Sequence, residues 1–256
     1  MCGNEKTTGV GEDEHNHLHI DRRALFGLAA MTGLLPSLLQ AEEVTKETAK
    51  VPTPPVTLPK LDADHQAILD DLLAGHSRFL ANTPREKDFT AKRVLQSEGQ
   101  SPAVAILSCS DSRVPPETLF DQGPGSLFIV RIAGNFVTDE GLASLEFGTK
   151  VLGAKLILVL GHTHCGAVNA AIKVLQENAV LPGHIQDLVR NIKPAVAPEL
   201  ANKEPDLEDR AVAANVRYNV ERLKQATPIL SELVADGTVV VIGGVYDIET
   251  GRVSLV

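Results

Sequence analysis

The chain has 256 residues, a formal net charge of −9, 43% hydrophobic and 4% aromatic residues, no tryptophan and three cysteines. The acidic balance excludes a nucleic-acid partner gripped through its phosphates, which needs clustered Lys and Arg, and three cysteines are too few for a disulfide framework. The length buries a sizeable core, and apolar mass drawn mostly from Ala, Val, Leu and Gly suits a parallel-sheet α/β protein better than an aromatic-rich sandwich.

Residues 1–21 are polar and lack apolar periodicity; the alternating His15, His17 and His19 read as a solvated tail or as a chelating run. Next, "DRRALFGLAAMTGLLPSLLQAEE" sets Arg22 and Arg23 before an uncharged apolar stretch from Ala24 to Leu39, with Ala41 ahead of an acidic pair. This order predicts a twin-arginine export signal over 1–41 and hence a periplasmic destination. An uncleaved membrane anchor and an amphipathic arm are the other readings, although the stretch is shorter than the roughly 20 residues of a membrane span and Pro36 interrupts it. Residues 42–60 carry charges and four prolines, a semi-extended linker. A single domain is expected from 61 to 256.

Within that domain, Ile68, Leu69, Leu72 and Leu73 share one face of a helix over 61–80, with Asp62 or Asp64 as cap. A more polar helix follows at about 86–97. The runs "AVAIL" (103–107), "LFIVRI" (127–132) and "KLILVLG" (155–161) are short and rich in Ile, Leu and Val, as strands buried on both faces are. Between the second and third, 138–153 reads as a helix capped by Thr138 or Asp139 and ended by Gly153. Helices are predicted from 165, near 184–192 and over a long region of about 206–235. "TVVVIGGVYD" (238–247) is a fourth strand, and "GRVSLV" pairs back on it as a hairpin. Strands alternating with helices give a mainly parallel sheet with an antiparallel last strand and helices on both faces.

Ligands collect beyond the carboxyl ends of such strands, and two ends carry chemistry. The first gives Cys109, Asp111 and Arg113 in "SCSDSR"; the third gives His162, His164 and Cys165 in "GHTHCGA". Two thiolates and an imidazole suit Zn2+, and three protein ligands leave the fourth tetrahedral position open, as catalytic zinc requires. At the start of the next helix, Cys165 would be helped to ionise by backbone amides and the helix dipole. Asp111 and Arg113, two apart, can form a bidentate pair that keeps the carboxylate ionised and oriented. Should the pair break, Asp111 becomes a conditional metal ligand that closes the site. The plainer readings are inert buried cysteines, a disulfide between them, and a turn-stabilising ion pair. His164 points to solvent or to the crevice.

"CSDSRVPPE", "FDQGPGSLFIVRIAGN" and "GHTHCGAV", in this order and spacing, resemble the β-class carbonic anhydrases from about residue 61 to the end. The resemblance implies a zinc enzyme that reversibly hydrates CO2 to bicarbonate and a proton by metal-hydroxide attack. It implies Cys109, His162 and Cys165 as ligands of one Zn2+ per chain and Asp111 with Arg113 as the catalytic dyad. Gly166 matches the glycine whose amide helps position bicarbonate. An N-terminal helical arm and a homodimer or higher oligomer are implied as well, the arm embracing the partner subunit. Gln122 resembles a pocket-lining glutamine, whereas the regulatory bicarbonate pocket built on a tryptophan lacks its residue here. The competing readings are a COS or CS2 hydrolase on the same scaffold and a non-catalytic zinc-stabilised binding module.

Overall fold

Strands β1 (Val104–Ser108), β2 (Leu127–Arg131), β3 (Leu156–His162), β4 (Val240–Tyr246) and β5 (Val253–Leu255) make one sheet in the order β2-β1-β3-β4-β5. The description rests on a computed structural model and covers residues 59–256; the leader at 1–41 and all but the last two residues of the linker at 42–60 lie outside the described residues. The first four strands are parallel, with Val104 opposite both Leu127 and Leu156 and Leu156 opposite Val240. β5 returns antiparallel on β4, Tyr246 opposite Val253.

Every residue of β1 and β3 is buried, which is why these strands read as unbroken apolar runs rather than as alternation. Successive side chains still go to opposite faces. Ala105, Leu107, Ile157, Val159 and Val241 pack against Val216, Val220 and Leu223 of α7 (Leu207–Lys224), Leu230 and Leu233 of α8 (Ile229–Ala235), and Leu145 of α4 (Asp139–Glu146). Val104, Ile106, Leu156, Leu158, Leu160 and Ile242 face the other way, onto Leu69 and Leu72 of α1 (Ala63–Leu80) and Leu119 of a one-turn helix, α3 (Pro116–Leu119). Asp62 caps α1 by accepting from His65 N at 2.9 Å.

Polar contacts fasten α1 to the layers beneath it. His76 Nδ1 donates to Leu119 O at 2.9 Å while its Nε2 accepts from Val253 N at 3.0 Å. Asp121, its side chain 1% exposed, accepts from Arg78 Nε at 2.5 Å, from Arg85 N at 3.0 Å and from Lys87 Nζ.

Three helical expectations need correction. The polar helix of 86–97 is only α2 (Ala91–Gln96). The helix of 138–153 is capped by Thr138 as expected, but α4 gives way at Phe147–Val151 to a π-helical turn. The long region of 206–235 is two helices: α7 stops at Lys224 and α8 restarts after Pro228, whose missing N–H cannot continue the ladder. At the carboxyl edge of the sheet, α5 (Gly166–Glu177) and α6 (Ile185–Val196) enclose a third cluster that includes Cys109 and Cys165.

Candidate metal centre

Cys109 is the first residue past β1, His162 the last of β3, and Cys165 the N-cap of α5. Because β1 and β3 are neighbours in register, their ends bring these side chains to one place. The two sulfurs and a His162 ring nitrogen lie within 4.8 Å of one another, all three residues being buried. Both cysteines are free thiols.

His162 Nδ1 donates to Thr163 O at 2.8 Å, which fixes the tautomer and leaves the Nε2 lone pair toward the sulfurs. That Nε2 is buried without a hydrogen-bond partner among the described residues. Burial pushes the imidazole pKa down, but the adjacent Cys109 sulfur, Thr163 O and Asp111 outweigh it, and the net direction is up. The two thiols are pushed in opposite directions. Cys109 is pulled down to about 4, first by the Cys165 thiol that donates to it, against burial, and then by His162 and the Gly134 amide. Cys165 is pushed up by that same shared hydrogen bond, by burial and by the Cys109 charge, although the amides of Ala167 and Val168 oppose this. Two sulfurs this close ionise together only with a cation between them. An unpartnered imidazole nitrogen beside two buried sulfurs is a donor set that fits a divalent metal of borderline softness.

Asp111 stands beside the cluster, its Oδ2 3.8 Å from His162 Nε2. Arg113 grips it bidentately, Nε to Oδ1 at 2.9 Å and Nη2 to Oδ2 at 2.7 Å, and the Arg113 backbone N–H adds 2.9 Å to Oδ1. These bonds, the side-chain ones foremost, hold the Asp111 carboxyl well below the usual carboxylate range against partial burial. The pair is formed, so Asp111 is turned to Arg113 rather than closing the cluster. Gly166 is the first residue of α5, and a Cβ built on it would meet no side chain or distant backbone within 4 Å.

His164 does not join the cluster. Its exposed ring lies 3.4 Å from Glu249 Oε1, and its carbonyl faces Arg113 Nη2 at 3.5 Å. Gln122 is apart as well, lining a groove of about 490 Å³ with Ile68, Asp71 and Leu127 and with none of the cluster residues. Sequence reasoning missed Arg131, which donates to Cys109 O at 3.0 Å and to Asp111 O at 2.6 Å, and Gly134, whose N–H donates to Cys109 Sγ at 3.2 Å. A lone arginine ending the apolar run "LFIVR" was the available signal for the first.

Fold and site together define a doubly covered parallel-sheet protein with a buried Cys2His cluster and an adjacent Asp–Arg pair at its strand ends. The sequence model of the carbonic anhydrase family matches residues 104–253. The chain is similar to carbonic anhydrase 2 of Mycobacterium tuberculosis, with 35% identity over 187 residues that cover 72% of this chain and 89% of that protein. It is equally similar to the carbonic anhydrase of Mycolicibacterium smegmatis, 35% identical over 184 residues covering 71% and 88%. Among solved structures, it superposes on a Coccomyxa β-carbonic anhydrase in complex with acetazolamide with a TM-score of 0.59 and 27% identity, covering 76% of this chain and 87% of that one. The β-carbonic anhydrase CcaA gives 0.58 and 27%, covering 74% and 92%. The chain belongs to the β class of the carbonic anhydrase family, enzymes of reversible CO2 hydration.

Proposed function

We propose that Cys109, His162 and Cys165 hold one Zn2+ per chain and that Asp111 and Arg113 are the catalytic dyad of its CO2 hydration. The observation that carries the assignment is the convergence of two buried sulfurs and an unpartnered His162 Nε2 within 4.8 Å, with Asp111 Oδ2 3.8 Å from that nitrogen. Zinc bound there supplies the Lewis acidity that makes water a nucleophile near neutral pH. Thr163 O fixes His162 as a neutral donor through Nε2. Arg113 holds the Asp111 carboxylate ionised, so that Oδ2 accepts a hydrogen bond from the reacting water and orients it toward CO2. The Gly166 amide, at the amino end of α5, donates toward a bicarbonate oxygen, where a helix N-terminus favours negative charge. The intact Asp111–Arg113 pair is the open arrangement of this site.

The chain acts as a homodimer or higher oligomer in this reading. Support comes from β2, an edge strand with one neighbour among the described residues, flanked by Phe147, which is 48% exposed and lies 6.4 Å ring to ring from Phe128. The paired arginines and apolar stretch of 22–39 support export through the twin-arginine machinery to the periplasm.

Zinc quantitation paired with stopped-flow CO2 hydration tests the assignment, with CS2 assayed beside CO2. The expected result is one zinc per chain and CO2 as the faster substrate. Zinc at one per chain with no CO2 hydration from acidic to alkaline pH would mean a structural metal module instead.

A further inference from the structure

Gly134 donates its N–H to Cys109 Sγ at 3.2 Å, and its carbonyl accepts from Asn215 Nδ2 at 2.8 Å. Asn215 begins a polar ladder along α7. One turn on, Asn219 accepts from Val137 N at 2.9 Å through Oδ1 and donates through Nδ2 to Asn215 O at 2.8 Å and to Asn215 Oδ1 at 3.2 Å. At the next step, Arg222 Nη1 donates to Val137 O at 3.0 Å. Asn215 and Asn219 are both 0% exposed, on a helix face otherwise built from Val212, Val216, Val220 and Leu223. Two primary amides in such a place are costly unless bonded, and theirs are bonded to each other and to the loop 134–137.

That loop needs an outside hold. Gly134 and Asn135 are left-handed in succession, with φ of 84° and 41°. A Cβ on Gly134 would lie 2.5 Å from Ile192 Cδ1 and 3.1 Å from Ala167 Cβ, so the backbone runs close against α6 and α5. Backbone of this kind persists where its surroundings over-determine it. The ladder is the surrounding that grips the polar groups on either side of Asn135.

We propose that Asn215 is a positioning residue of the metal centre: it holds Gly134 so that the Gly134 amide donates to the Cys109 sulfur and aims it at the ion. The inference rests on the proposed metal assignment and adds to it a support from a helix that supplies no ligand. Partners of ligands fix ligand direction and tune the charge a ligand donates.

The test measures zinc affinity by competition with a chromophoric chelator and the thiolate-to-metal absorption band of the cobalt-substituted protein. Asn215→Ala, and Asn215→Asp, which keeps the shape and removes the donor, are expected to weaken zinc about 10- to 100-fold and to move the cobalt band. Val220→Ala, a cut into the same helix that removes none of the polar partners of the loop, is expected to lower stability and leave both readings as in the wild type. Folded Asn215 variants with wild-type affinity and an unmoved band overturn the inference. Should those variants fail to fold, the wild-type protein loaded with a magnetically active cadmium isotope decides: a scalar coupling from the Gly134 amide proton through Sγ to cadmium is expected, and its absence overturns the inference. A wild-type chain that takes up no zinc overturns the metal assignment and this inference with it.

Discussion

Asp111 sits between a cation that is present and one that the cluster is built to receive. Arg113 occupies both carboxylate oxygens, yet Oδ2 is still within 3.8 Å of His162 Nε2. In the proposed assignment a group so placed aligns a proton without being a ligand, and that distinction is measurable. Asp111→Asn is expected to keep zinc at one per chain while turnover falls about 100-fold or more, whereas Cys165→Ala and His162→Ala lose the metal and all activity. Full zinc retention in both ligand variants, read by metal analysis of the purified proteins, would sink the assignment. Asp121 makes a different use of the same chemistry. Its buried carboxylate neutralises Lys87 and Arg78, and their hydrogen bonds, Lys87 first, hold its pKa below the ordinary 3.8. A depressed carboxylate stabilises the fold above its unfolded pKa and loses that contribution as pH falls through the folded value. Asp121→Asn is therefore expected to cost about 2 to 3 kcal/mol at neutral pH, toward the low end for a broken buried pair because Arg78 and Lys87 keep some water. In denaturant titrations, the gap to the wild type should stay constant on acidification and close only below pH 3.8. A gap that grows on acidification would contradict the assigned charge.

At the scale of elements, the approach of α7 to the sheet depends on what β4 omits. A Cβ on Gly243 would fall 2.6 Å from Val216 Cγ1 and 3.2 Å from Val256 O. Gly243→Ala is thus expected to destabilise by about 1 to 3 kcal/mol, the usual cost of overpacking. Adding Val216→Ala should recover part of that loss, and strictly additive free energies in the double-mutant cycle would show that the two do not meet. The same packing explains what was and was not legible in sequence. β1 and β3 declared themselves because burial on both faces requires unbroken apolar runs, and C-x-D-x-R and H-x-x-C carry their spacing locally. The break at Pro228 was readable in principle, but the apolar pattern of 206–235 continues on both sides of it and masked it. Asn215 and Asn219 carry no local sign at all. An asparagine pair one turn apart gains meaning only from the loop it holds, some 80 positions earlier in the chain.

For the whole molecule, the proposed metal site and the proposed export together turn the order of folding and metal loading into a physical constraint. Cys109 and Cys165 are free, buried and close in the folded chain, and an oxidant reaching the unfolded chain would find two reactive thiols instead of a metal centre. Zinc that binds the folded state alone stabilises it by mass action, which makes loading before exposure to an oxidising compartment the safe sequence. The twin-arginine signal proposed over 1–41, with Arg22 and Arg23 ahead of the apolar stretch, would carry its passenger already folded and so meet that constraint. Two fusions test the coupling. Residues 1–45 joined to a reporter are expected to deliver it to the periplasm, and retention in the cytoplasm would remove the premise. The second replaces those residues with a leader whose passenger is threaded unfolded. The exported enzyme should then contain less zinc per chain and a Cys109–Cys165 disulfide, detected by thiol labelling before and after reduction. Equal zinc content and equally free thiols by both routes would show that the metal centre assembles without protection, and that the paired arginines serve some end other than guarding these two sulfurs.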